Sequence, residues 1–259
     1  MNFTHTKLRV EGRTAILTID SPPVNALGME LKKELAKRLD DLANREDIWT
    51  VILTAAGEKV FLAGADIPSL LELDYEKGLA RVQETRTLFS KVADFPKPII
   101  AAINGTCLGA GLELSLCCDI RIAAEHAKLG LPEVNLGIMP GAGGTQRLPR
   151  IINSGLARYL IYTGEILAAK EALSYGLIAQ VVPYELLLEE AKGIAHKING
   201  KGPLAVRSAK RAINQGCELP IEEALTLENE LWAKLCNTED KREGISAFLE
   251  KRKPEFKGR

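Results

Sequence analysis

The chain has 259 residues, 46% of them hydrophobic, and 34 basic side chains balance 34 acidic ones. That length fits one large domain, or one domain with a helical appendage, and the apolar share is enough for a substantial core. The cancelled charge removes any global attraction for nucleic acid or an anionic membrane surface. The N-terminus reads as neither a signal peptide nor an Arg-rich transit peptide, and the apolar runs are too short to span a bilayer. A soluble, cytoplasmic protein is expected.

Leu8 to Val10 and Ala15 to Ile19 flank Glu11-Gly12-Arg13 and predict a β-hairpin, ended by Ser21-Pro22-Pro23. Leu31, Leu35, Leu39 and Leu42 recur at helical spacing between Gly28 and Asn44. Thr50 to Thr54 is a short, β-branched run and predicts a buried strand, followed by a turn at Ala55-Ala56-Gly57. The small segment Phe61-Leu62-Ala63-Gly64-Ala65-Asp66-Ile67 comes next. Taken alone it favours an ordinary loop into a helix, with Asp66 as N-cap and Pro68 in the first turn. It is also a segment whose backbone N–H groups can approach a ligand closely. Residues 69–94 read as a more polar helix.

Ile99 to Ile103 predicts another buried strand, ending at Asn104-Gly105. Gly109-Ala110-Gly111 then leads into a helix over 112–118 that is apolar all round and therefore central. Asp119 to Ala123 and Lys128-Leu129 return to strand character. Helices are expected from Ser154 and over 168–175, a last short strand over 178–182, and amphipathic helices over 184–199 and 203–214. Pro220 starts another helix, and Ile245, Phe248 and Leu249 begin the tail. Strand–strand–helix repeats of this kind predict an α/β fold of stacked sheets and helices. The five cysteines include no C-x-x-C spacing, and no histidine stands at ligand spacing from one. Buried reduced thiols are expected, and no metal site.

The chemistry is concentrated between Asn104 and Arg147. Glu113 lies among Leu112, Leu114, Leu116, Cys117 and Cys118, where lost solvation raises a carboxyl pKa. Glu133 follows twenty positions later, before Met139-Pro140-Gly141-Ala142-Gly143-Gly144. Each has an ordinary alternative: Glu113 as a first-turn acid, and Glu133 as an exposed loop residue. Jointly, two carboxylates each flanked by a Gly-rich loop point to divided acid and base work. A glycine loop at a helix N-terminus offers unpaired N–H groups to a developing oxyanion, and the 63–65 loop offers a second donor. No G-x-S-x-G elbow, G-x-x-x-x-G-K-[ST] loop or G-x-G-x-x-G fingerprint is present.

The runs F-L-A-G-A-D-I, N-G-x-x-L-G-A-G-L-E-L, L-P-E-x-x-L-G-I-M-P-G-A-G-G-T-Q-R-L and F-L-E-K-R-K-P-E-F-K resemble the enoyl-CoA hydratase (crotonase) group of the hydratase/isomerase superfamily, in order and over nearly the whole chain. The resemblance implies a lyase with a spiral core of repeated ββα units over residues 1–195, holding the CoA and catalytic site. It implies a helical region over 196–259 that builds trimers, two of which stack into a homo-hexamer. Ala65 and Ala110 would supply the oxyanion-hole N–H groups, Glu113 and Glu133 the acid/base pair, and Gly141 a hold on the attacking water. Ala63, Asp66 and Ile67 would line the CoA path, and Phe248 and Lys251 would reach the CoA of a neighbouring subunit.

Two positions depart from the pattern. Relatives usually carry glycine at the position of Ala110, which can serve provided the loop does not demand a positive φ. Pro68 stands where several relatives carry a lysine. The implied reaction adds water to a trans-2-enoyl-CoA, giving a 3-hydroxyacyl-CoA of fatty-acid metabolism with no cofactor or metal. The rivals are an enoyl-CoA isomerase or cyclic dienoyl-CoA hydratase on the same scaffold, an RNA-binding relative, and a purely structural subunit of a larger fatty-acid oxidation assembly.

Overall fold

The computed structural model describes residues 3–259. β1 (Thr6–Glu11) and β2 (Thr14–Ile19) form the antiparallel hairpin, and α1 (Met29–Ala43) follows. Three successive units then repeat one plan. β3 (Thr50–Ala55), β4 (Val60–Leu62) and α2 (Tyr75–Ala93) make the first; β5 (Ile99–Ile103), β6 (Thr106–Leu108) and α3 (Ala110–Leu116) the second; β7 (Ile120–Ala124), β8 (Lys128–Gly130) and α4 (Gly144–Ile151) the third. After them come α5 (Ser154–Thr163), β9 (Ile166–Ala168), α6 (Ala169–Ser174), β10 (Gln180–Val182), α7 (Tyr184–Asn199), α8 (Pro203–Gly216), α9 (Ile221–Leu235) and α10 (Glu239–Leu249).

In each unit the first strand enters a six-stranded sheet ordered β1-β2-β3-β5-β7-β10, parallel apart from β1 against β2. The second strand enters a four-stranded sheet ordered β4-β6-β8-β9, where only the β8–β9 pair is antiparallel. The chain thus winds between two sheets, and the ββα spiral is borne out.

Alternation along the strands explains the large sheet. Val51, Leu53, Ile99, Ala101 and Ile103 face the main core with the leucines of α1, Leu31, Leu35, Leu39 and Leu42. Ile52, Ile100, Ala102, Ile122 and Ala124 face the opposite way, where Leu187, Ala191 and Ala195 of α7 cover them. A sheet buried on both faces needs β-branched residues at consecutive positions, which is why β3 and β5 read as continuous apolar runs. The division suggested at 195/196 falls inside α7, which continues to Asn199. Beyond α10 the chain folds back, and the Lys257 and Gly258 N–H groups donate to the buried Asp240 carboxylate at 2.7 and 2.9 Å.

The structure corrects four local expectations. Residues 69–94 are not one helix: a single 3-10 turn (Pro68–Leu70) precedes α2, which the Asp74 side chain caps by accepting from Lys77 N–H. Asp66 is not an N-cap; Ile67 occupies that place, with no side-chain bond. α3 begins at Ala110 rather than Leu112. Ile245, Phe248 and Leu249 belong to α10 rather than opening the tail. Cys107, Cys117 and Cys118 are buried and Cys217 is exposed; all five thiols are free. Burial pushes the Cys107 and Cys117 thiols up to about 12, so they stay protonated. No helix among the described residues is long and apolar enough to cross a membrane.

Candidate active site

The site forms where the small sheet's strand ends meet the starts of α3 and α4. β4 delivers Ala63-Gly64-Ala65, and β6 delivers Gly109 and the first residue of α3, Ala110. Gly64 and Gly109 both have positive φ, 108° and 54°, and their backbones nearly touch: a Cβ built on Gly109 would lie 3.8 Å from the Gly64 Cα. That Cβ would also stand 3.1 Å from Glu133 Oε1. Glycine here supplies both the left-handed backbone and the room for a carboxylate. Ala110 is not among the positive-φ residues, so the condition for alanine at that position is met. Its N–H is at the first position of a helix, where no internal partner exists. Among the described residues, neither the Ala65 nor the Ala110 N–H donates to a backbone carbonyl.

Glu113 is one helical turn into α3 and 2% exposed. Its Oε1 accepts hydrogen bonds from the Ala142 and Gly144 N–H groups, each at 2.8 Å. Arg147 donates to the Ala142 carbonyl at 3.2 Å and steadies that turn. Burial raises the Glu113 pKa, while the two N–H bonds and the Arg147 charge work in the opposite direction.

Glu133 lies on a 3-10 turn (Pro132–Leu136) and is half-buried, not an exposed loop residue. Burial, with a further push from the Glu113 charge, lifts its pKa to about 7. Its Oε2 is buried with no hydrogen-bond partner among the described residues. An unpartnered carboxyl oxygen buried in this way is costly to leave unpaired, and acid–base sites are where such costs are tolerated.

A family model described as enoyl-CoA hydratase/isomerase matches residues 10–259. The chain belongs to that family. A short-chain-enoyl-CoA hydratase of Clostridium acetobutylicum is 42% identical over 100% of both chains. A crotonyl-CoA hydratase of Syntrophomonas wolfei is 41% identical over 99% of each. The crystal structure of an enoyl-CoA hydratase from Bacillus anthracis, 44% identical, superposes with a TM-score of 0.96 over 99% of this chain and 100% of that one. The resemblance read from the motifs is borne out, as are the crotonase fold and the hydro-lyase class.

The geometry brings together four of the expected residues of this family site: Ala65, Ala110, Glu113 and Glu133. Gly141 is exposed beside Val82 of α2; the turn's bonds to Glu113 come from Ala142 and Gly144 instead. Ala63 spends its N–H on the Val24 carbonyl at 3.3 Å. Asp66 and Ile67 are exposed just beyond the loop. Phe248 lies at the far end of α10 and Lys251 just beyond it, apart from the bonds that assemble the pair; Phe248 is 83% exposed and Lys251 has φ of 54°. The reading from sequence missed Ala142, Gly144 and Arg147. Only the glycine-rich turn ahead of Arg147 hinted at them. Among the described residues, no group of three or more His, Cys, Asp and Glu gathers as a metal ion would require.

Proposed function

We propose that this chain hydrates trans-2-enoyl-CoA thioesters to 3-hydroxyacyl-CoA. The observation that carries the reading is the meeting of two unequal carboxyl groups with two free N–H donors at the Gly64–Gly109 contact. The thioester carbonyl accepts from the Ala65 and Ala110 N–H groups, which draws charge from the double bond and stabilises the enolate-like transition state. Glu113, held as an acceptor by two N–H groups, takes a proton from water as its oxygen bonds to the β carbon. Glu133, whose pKa of about 7 keeps it substantially protonated at neutral pH, delivers a proton to the α carbon. The C=C π bond and one water O–H bond are consumed, one C–O and one C–H bond form, and the proton left on Glu113 passes through water to Glu133, which restores the starting pair. Each step uses only the chain's own groups and water.

Ala63, Asp66 and Ile67 would flank the CoA path, and Gly141 would help hold the water. The chain would work as a homo-hexamer in which Phe248 and Lys251 reach the CoA of a neighbouring subunit. The bare apolar surface of Phe248 and of Trp232, 83% and 69% exposed, supports a partner over these helices. The test is loss of enoyl-thioester absorbance with crotonyl-CoA. Glu113→Gln and Glu133→Gln should each lower kcat by about 100-fold or more while still binding crotonyl-CoA. Binding without absorbance loss in the wild type would remove the hydratase reading.

A further inference from the structure

Two asparagine amides converge on one carbonyl oxygen at the start of β4. Asn25 Nδ2 donates to Val60 O at 3.1 Å and Phe61 O at 3.4 Å. Asn104 Nδ2 donates to Gly57 O at 2.7 Å and to the same Val60 O at 3.3 Å. The strand that carries Ala65 is thus registered against both the 21–27 segment and the end of β5, which leads on through β6 to Ala110.

Asn25 is the more telling of the two. It is buried and sits at φ of 52°, a left-handed conformation that asparagine adopts more readily than other residues with a side chain. Its Oδ1 accepts from the Ser21 N–H at 2.8 Å, so both ends of the amide are engaged. From Asn25 the chain runs directly alongside the oxyanion loop. Ala63 N–H donates to Val24 O at 3.3 Å, and Leu27 N–H donates to Gly64 O at 2.8 Å.

The second of these bonds has a stereochemical consequence. In a planar trans peptide the C=O and the next N–H point in opposite directions. With Gly64 O fixed on Leu27, the Ala65 N–H must point away from the 24–27 segment. Gly64 itself packs on the other loop, where a Cβ built on it would lie 3.2 Å from Leu108 O and 3.9 Å from Ala110 N.

We propose that Asn25 is a positioning residue for the oxyanion hole: its side-chain amide fixes segment 24–27 against β4, and that segment turns the Gly64–Ala65 peptide so that the Ala65 N–H faces the thioester carbonyl. The inference rests on the hydratase reading and adds to it the device that aims one of the two donors.

Two variants test it. Asn25→Gly keeps the left-handed backbone and removes the amide; Asn25→Asp keeps the acceptor for Ser21 and removes the donors to Val60 and Phe61. Leu39→Ala, in the α1 core, serves as a control that loses stability without touching the loop. The readouts are the absorbance band of a bound aryl-enoyl thioester of CoA, which moves to longer wavelength as its carbonyl accepts hydrogen bonds, and kcat and KM with crotonyl-CoA. The expected result is a smaller red shift and a kcat lower by about tenfold or more in both Asn25 variants, with KM within about threefold of wild type, because the donor is misaimed rather than the CoA displaced. Leu39→Ala should keep both the shift and kcat.

Folded Asn25 variants with the wild-type shift and kcat would overturn the proposal. If Asn25→Gly fails to fold, Asn25→Asp gives the same readouts; if neither folds, Asn25 is a determinant of the fold and the proposal is rejected. A wild type that binds the thioester with no red shift would instead remove the oxyanion reading on which the proposal stands.

Discussion

Glu113 and Glu133 are twenty positions apart in sequence, and the fold gives their carboxyl groups different surroundings. Glu113 has two N–H donors on one oxygen, which oppose the upward push of deep burial on its pKa without cancelling it. Glu133 has an unpartnered oxygen and a pKa of about 7. In the proposed cycle Glu133 starts with its proton on. As pH rises through 7 that proton is lost and two like charges face each other, so kcat/KM should fall on an alkaline limb centred near 7. A pH profile flat from 6 to about 9 would contradict the assignment.

The same shift bears on stability. A carboxyl whose pKa is raised by folding binds its proton more tightly in the folded state, so the stability it contributes is complete below its ordinary value of 4.5 and is lost as pH rises through about 7. Glu133→Gln should therefore raise the melting temperature, and by more at pH 8 than at pH 5; calorimetry of the two proteins at both pH values checks this. Both carboxylates were legible in the sequence because each stands in an unusual local setting, apolar for one and glycine-rich for the other. The bonds that hold Glu113 were not, because Ala142 and Gly144 reach it across 29 and 31 residues and through backbone N–H groups that carry no side-chain signature.

The elements that place these residues are short. Gly109 immediately precedes α3 with φ of 54° and leaves room for Glu133. Gly109→Ala should cost about 1–3 kcal/mol from the backbone alone, lower the melting temperature, and reduce kcat because the new Cβ crowds the carboxylate. A variant that melts and turns over like the wild type would show that the α3 start tolerates a side chain. Long elements were legible: the leucines of α1 and the β-branched runs of β3 and β5 each carry a full period of burial. β4, β6 and β9, with three residues each, carry none, and pairings made with strands far along the chain define them. The break before α2 was missed because Leu71-Glu72-Leu73 continues a helical composition, while Asp74 starts a new helix with its own cap. The start of α4 was hidden inside a glycine run that reads as a turn.

At the scale of the whole molecule, the large sheet is sealed by α7 on one face and by the main core on the other, so the site is built on a rigid base. Leu187→Ala, which opens the α7 contact, should cost about 2–5 kcal/mol and be read in denaturant midpoints, with kcat nearly unchanged in the folded fraction. The helices after α7 expose Trp232, Ile245, Phe248 and Leu249, more apolar surface than isolated helices ordinarily leave bare. The proposed hexamer predicts a solution mass near six times the 28.2 kDa of the chain. Light scattering giving a single-chain mass at micromolar concentration would contradict it.

The central claim is that water is added across the double bond of an enoyl thioester. The most direct measurement is mass spectrometry of the product formed from crotonyl-CoA in oxygen-18 water, with wild type, Glu113→Gln and Glu133→Gln in parallel. The expected product is 3-hydroxybutyryl-CoA carrying one labelled oxygen on the β carbon, formed by the wild type and at least about 100-fold more slowly by either variant. A product isomeric with the substrate and free of label, or labelled product formed equally fast by the variants, would contradict it.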